Sequence, residues 1–156
     1  METIIRKIDK NNIDPEVIEE AGNILKNGGL VAFPTETVYG LGADALKEEA
    51  AKKTYAAKGR PSDNPLIVHI AEFDKLAPIV AEVPEKAKIL AEKYWPGPPM
   101  ILPKSDLVPQ ETTGGLDSVA VRFPSDRIAQ ELIKAAGGYV AAVSYTHLRA
   151  HETGRN

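Results

Sequence analysis

The chain has no cysteine among its 156 residues. That excludes a disulfide framework, a thiolate metal site and a cysteine nucleophile, and it is compatible with a reducing, cytoplasmic setting. No apolar run approaches the length of a membrane span. Met1 to Lys10 sets charges among its isoleucines and has no apolar signal-peptide core, so no membrane role is expected. There is no excess of positive charge either. Lys and Arg number 19 against 22 Asp and Glu, a net charge of −3, which argues against nucleic-acid binding through overall basicity. Only three histidines occur, and just one, His69, lies outside the final stretch. No paired carboxylates, metal-ligand cluster or Ser/His/Asp spacing is present, and no G-x-x-x-x-G-K-[ST] phosphate loop.

What remains is ordinary for one globular domain: 43% apolar and 26% charged residues, enough chain for a real core. Asp14-Pro15 is an N-cap followed by proline at the first turn, and Val17, Ile18, Ala21, Ile24 and Leu25 recur on one helical face. Gly28-Gly29 ends that helix, and Leu30–Phe33 reads as a buried strand. The spacing predicts a second helix over Leu46–Lys58, stopped by Gly59 and Pro61, then a strand over Leu66–Ile70. Residues 72–80 are weakly helical and Pro84–Tyr94 strongly so. Trp95 to Pro99 is a turn and Met100–Leu102 a short strand; residues 103–117 read mostly as loop. Ser118–Phe123 is a strand, Ser125 caps a helix running to Ala136, and Tyr139–Val143 begins a further strand. Strands alternating with helices predict an α/β sheet covered by helices.

The densest chemistry lies in Phe33-Pro34-Thr35-Glu36-Thr37-Val38-Tyr39-Gly40-Leu41-Gly42. An apolar strand runs into a turn of hydroxyls, one carboxylate and two glycines, where proline ends the ladder and glycine permits unusual angles and close approach. Glu36 is a candidate general base, although one carboxylate is a weak signal. Gly40-Leu41-Gly42-Ala43-Asp44-Ala45 fits a loose dinucleotide pattern. However, the glycines do not follow a strand directly and Asp63 sits in a proline-flanked loop, so a nicotinamide fold is rejected.

Lys58 and Arg60 stand two apart where the chain leaves a helix. If the segment is extended, both cations share a face. At about 6 Å and an effective dielectric of about 20 they would repel by roughly 3 kcal/mol, which a polyanion between them would relieve. On their own they equally suit a solvated helix end. Arg122, at the end of Val119-Ala120-Val121, offers a planar fork for a carboxylate or phosphate, or for a surface ion pair. His69 interrupts an apolar strand, where a hydrogen-bonded core histidine is the ordinary reading.

Taken together, Pro34 to Gly40, the Lys58-x-Arg60 pair, Asn64-Pro65-Leu66-Ile67-Val68-His69, Trp95-Pro96-Gly97-Pro98 and Val119-Ala120-Val121-Arg122 resemble the YrdC-like threonylcarbamoyl-AMP synthase family. The likeness runs from Ile4 to about Ala142. It implies a YrdC-like α/β fold: a twisted mixed sheet with helices packed on it and a concave ligand-binding surface. It also implies a nucleotidyltransferase forming threonylcarbamoyl-AMP and pyrophosphate from L-threonine, bicarbonate and ATP, with magnesium, for threonylcarbamoyladenosine modification of tRNA. Through it, Thr37, His69, Arg122 and Ala142 are expected at threonine. Arg60, Asn64, Ser118 and Ser144 are expected at the nucleotide, and Lys58 and Arg60 in catalysis. The resemblance also implies tRNA or a tRNA-modifying complex as partner, and two other readings stay open: an RNA-binding module of the same fold without catalysis, and a carbamoyl-transfer accessory domain.

The resemblance stops near residue 143. The family continues there with Pro-Ser-Ala-Asn, whereas this chain reads Val143-Ser144-Tyr145-Thr146. Residues 1–143 are therefore expected to form an incomplete YrdC-like domain and 144–156 a tail foreign to the family. The expectation is a chain that folds incompletely or is weakly active or inactive, with sheet edges and apolar faces left uncovered, since the family's later strands would pair beside the one starting at Tyr139 or close the pocket.

Overall fold

A computed structural model describes residues 3–35, 39–59 and 64–144. The first helix, α1 (Pro15–Lys26), starts where the sequence says: Asp14 is its N-cap, its side chain accepts from the Glu16 amide, and Pro15 occupies the first turn. After Gly28, strand β1 (Val31–Pro34) pairs antiparallel with β2 (Tyr39–Asp44). Helix α2 (Glu48–Lys58) ends at Gly59, whose φ of 62° is the left-handed cap that glycine supplies without strain. Strand β3 (Ile67–His69) follows, then a 3₁₀ turn at Phe73–Lys75 running into the short α3 (Leu76–Ile79) and helix α4 (Glu85–Tyr94). Strands β4 (Met100–Pro103) and β5 (Ser118–Arg122), helix α5 (Arg127–Ala135) and strand β6 (Val140–Ser144) complete the described chain.

Two local expectations are corrected. The cap of α5 is Asp126, which accepts from the Ala129 amide at 2.9 Å, and not Ser125. Gly40 and Gly42 lie inside β2 and not in a turn, and neither has positive φ. What they provide is room: an added Cβ at Gly42 would stand 2.7 Å from Phe33 Cε1 and 2.8 Å from Val140 Cγ1.

The six strands form one mixed sheet in the order β1-β2-β6-β3-β5-β4, with only β3 and β5 parallel. Alternation along the strands splits the core in two. On one face Leu25, Phe33, Leu132, Ile133, Val140 and Ala142 pack under α1 and α5. On the other, Leu41, Tyr55, Val68, Trp95, Val121 and Val143 pack with α2, α3 and α4. The 103–117 segment is irregular, as expected, yet pinned: Thr112 is fully buried and its hydroxyl donates to the Ala45 carbonyl at 2.7 Å.

Strand β6 does lie within the sheet, but the expectation of a later strand beside it is overturned. It is hydrogen-bonded to β2 on one side and β3 on the other, so neither of its edges is open.

Candidate active site

Cross-strand register places the expected residues on one surface. His69 is paired with Arg122 on β5 and with Val140 on β6, while Ile67 is paired with Ala120 and Ala142. Residues paired directly across neighbouring strands point to the same face, and so do residues two apart along one strand. His69, Arg122, Ser118 and Ala142 therefore belong to one face, the face that carries Phe33, Gly40 and Gly42. Helices α1 and α5 cover this face over β1, β2 and β6. Towards β3, β5 and β4 it remains accessible: Ile67, Ala120, Ser118 and Arg122 are partly exposed and Ile101 is 73% exposed.

The surface is banded. Arg122 and His69 form a polar row. Next to it runs an apolar row of Ile101, Ala120, Ile67 and Ala142, one residue from each of four strands. Beyond that lies the hydroxyl position Ser118. At a rise of about 3.3 Å per residue, Ser118 and Arg122 are about 13 Å apart along β5. An elongated ligand with a charged end, an apolar middle and a second polar end matches that pattern.

His69 is buried, at 5% exposure, and its Nδ1 lies 3.0 Å from the Ile67 carbonyl oxygen. The Phe33 ring meets it edge-on, with centroids 6.2 Å apart at 88°. Such pairs contribute about 0.5–1.5 kcal/mol beyond burial. The histidine is thus both a core residue and a member of the polar row, which merges its two sequence readings. Ala142 is buried at 3% among Phe33, Val140 and the α5 side chains, so its methyl belongs to the core.

Lys58 is the last residue of α2 and partly exposed, and Asn64 is exposed on the approach to β3. The extended geometry assumed for Lys58 and Arg60 does not hold. Gly59 between them is left-handed, so spacing alone does not put the two cations on one face. Glu36, Thr37 and Arg60 lie outside the described residues, as does the 145–156 tail.

Among the described residues no grouping of His, Asp or Glu could hold a metal ion. No helix among them is long and apolar enough to cross a membrane. The Phe33 contact and the apolar row were not read from the sequence. The alternation in Ile67–His69 and Val119–Arg122 carried part of that signal, but the row depends on register between strands distant in the chain.

A sequence profile of the Sua5, YciO and YrdC proteins, described as telomere recombination, matches residues 23–149. The chain belongs to the Sua5/YciO/YrdC family. Within it, a threonylcarbamoyl-AMP synthase of Pyrococcus abyssi is 52% identical over 143 residues, covering 91% of this chain and 42% of that protein. A Bacillus subtilis protein of the same name is 50% identical over 133 residues, 84% of this chain and 38% of its own length. The crystal structure of P. abyssi Sua5 complexed with L-threonine matches with a TM-score of 0.83 at 53% identity, over 85% of this chain and 39% of that one. This family member therefore has the Sua5/YrdC fold and spans about two-fifths of the length of these relatives.

Proposed function

We propose that the chain forms threonylcarbamoyl-AMP and pyrophosphate from L-threonine, bicarbonate and ATP, a product that serves threonylcarbamoyladenosine modification of tRNA. The observation that carries this reading is the banded face, with Arg122 and His69 paired at one level and Ser118 at another. Its similarity to a Sua5 structure complexed with L-threonine supports the choice of amino acid.

In this reading Arg122 receives the threonine carboxylate in two-point contact. His69 and Thr37 orient the amino acid, and Ala142 closes the floor beneath it. The unprotonated amine and bicarbonate form a carbamate with loss of water. A carbamate oxygen then attacks the α-phosphorus of ATP as the bond to pyrophosphate breaks. Nucleophile and phosphate are both anionic, so cations must lower their repulsion and stabilise charge developing on phosphate. Lys58 and Arg60 are assigned that work, with Asn64, Ser118 and Ser144 holding the nucleotide. The described side chains offer no carboxylate cage for magnesium, which would accompany the nucleotide phosphates, and no step is routed through it.

The test is pyrophosphate release with ATP, L-threonine and bicarbonate, with the adenylate identified by mass spectrometry. Omitting threonine or bicarbonate should abolish product. Lys58→Ala should cost about ten- to a hundredfold in turnover, the scale of one charge-assisted hydrogen bond of about 1.5–3 kcal/mol. Unchanged turnover in Lys58→Ala removes that residue from the mechanism. Threonine-independent pyrophosphate release would reject the reaction.

A further inference from the structure

One row of the open face alternates in size. Across four strands it reads Ile101, Ala120, Ile67 and Ala142, each paired with the next. The two alanines flank Ile67 but have different surroundings. Ala142 is 3% exposed and packs in the core with Phe33. Ala120 is partly exposed, and among the described residues neither core takes in Ala120, Ile67 or Ile101. The fold uses the apolar surface of one alanine and leaves that of the other.

Ile67 and Ile101 rise from strands about 10 Å apart, two inter-strand spacings, with only a methyl between them. The result is a groove along β5, floored by Ala120 and walled by the two isoleucines. Its ends lie two residues away in each direction, about 7 Å, at Ser118 and Arg122. A strand surface of this kind favours a β-branched side chain, which would gain cross-strand contact with both isoleucines. Alanine gives up that contact, and a ligand occupying the space would account for the loss.

We propose that Ala120 sets the size limit of this site: the linked threonylcarbamoyl adenylate lies lengthwise along β5, its carbamoyl middle over the Ala120 methyl and between Ile67 and Ile101. This rests on the reading of the face as one for L-threonine and ATP, which puts the carboxylate at Arg122 and the nucleotide at Ser118. The carbamoyl group is flat and carries no branch, so it passes where a larger floor residue would fill the space.

The test uses the 156-residue chain with ¹³C-methyl-labelled alanine and isoleucine. Adding L-threonine, bicarbonate and ATP together should shift the methyl signals of Ala120, Ile67 and Ile101, while Ala141, in the core of the opposite face, stays in place. Ala120→Ile fills the groove with a good strand former, so its thermal midpoint should equal or exceed that of the wild type. Calorimetry with L-threonine and bicarbonate present should nevertheless show ATP binding weakened at least about tenfold, the lower end of what one methylene in a pocket discriminates. Ala120→Ser keeps the floor low and should bind as the wild type does. A folded Ala120→Ile protein with undiminished binding overturns the proposal, and so does one that loses stability and binding together. Heat on adding either ligand without a shift at any of the three methyls overturns it as well, and leaves the reaction standing on another part of the face. A wild type that binds neither L-threonine nor ATP rejects the reading of the site, and the groove falls with it.

Discussion

At the scale of single residues, Asp44 shows how burial can act against a fold. It ends β2, half-buried, and its carboxylate accepts from the Leu46 amide at 3.0 Å. Burial raises its pKa from the ordinary 3.8, against the lowering effects of the Leu46 hydrogen bond and the Lys47 charge. A carboxyl with a raised folded-state pKa binds more protons in the native than in the unfolded chain between the two values. Stability from this group is therefore greatest below the unfolded pKa and declines as pH rises through the raised one. Asp44→Asn keeps an oxygen for the Leu46 amide and removes the titration. Urea denaturation should show the Asn variant gaining on the wild type as pH rises from 3 to 7. Parallel stability curves would refute the assignment.

Gly22 carries the argument up to the scale of elements, where α1 crosses α5. An added Cβ there would lie 2.7 Å from Ala135 Cβ and 2.8 Å from the Ala135 carbonyl carbon and oxygen. In an exposed helix Gly→Ala stabilises by about 0.8–1.0 kcal/mol. Here the clash with backbone outweighs propensity, since overpacking costs about 1–3 kcal/mol. Gly22→Ala should lower the thermal midpoint, and a rise would mean the helices can separate at little cost. The element-scale lesson concerns legibility as well. Helices α1, α2 and α4 were readable because caps, prolines and glycines act within a few residues of one another. Strand β2 was not, because Tyr39-Gly40-Leu41-Gly42 has a turn-like composition and becomes a strand only through pairing with β1 under the Phe33 ring. The shared face of Lys58 and Arg60 was argued from an extended backbone, whereas Gly59 between them is left-handed.

At the scale of the whole molecule, the sheet order sets what depends on what. Strands β1 and β2 form a hairpin, and β3, β5 and β4 form a separate group; among the described strands, β6 is the one paired with both. Its Ala141 pairs with Ala43 on one side and Val68 on the other. Ala141→Pro removes a ladder amide in a central strand, a change expected to cost about 3 kcal/mol or more. Hydrogen exchange should then rise together in β2 and β3, although they are not neighbours in the sheet. Loss of protection confined to β6 would show that the two groups hold without it. The polar residues of the banded face were legible as residue types, while their common surface follows from register across β6, β3 and β5 and needed the structure.

The central place of β6 also has a consequence for synthesis. Proteins emerge from the ribosome N-terminus first, and both the hairpin and the β3–β5–β4 group are complete in the nascent chain before residues 140–144 appear. Until then each group exposes a strand edge, and these two edges become the lining of the gap that β6 fills. His69 and Arg122 on one side and Phe33 on the other share one surface through strands that β6 pairs together. Residues up to Tyr139 carry the strands of both groups, and the five residues of β6 make them a single sheet.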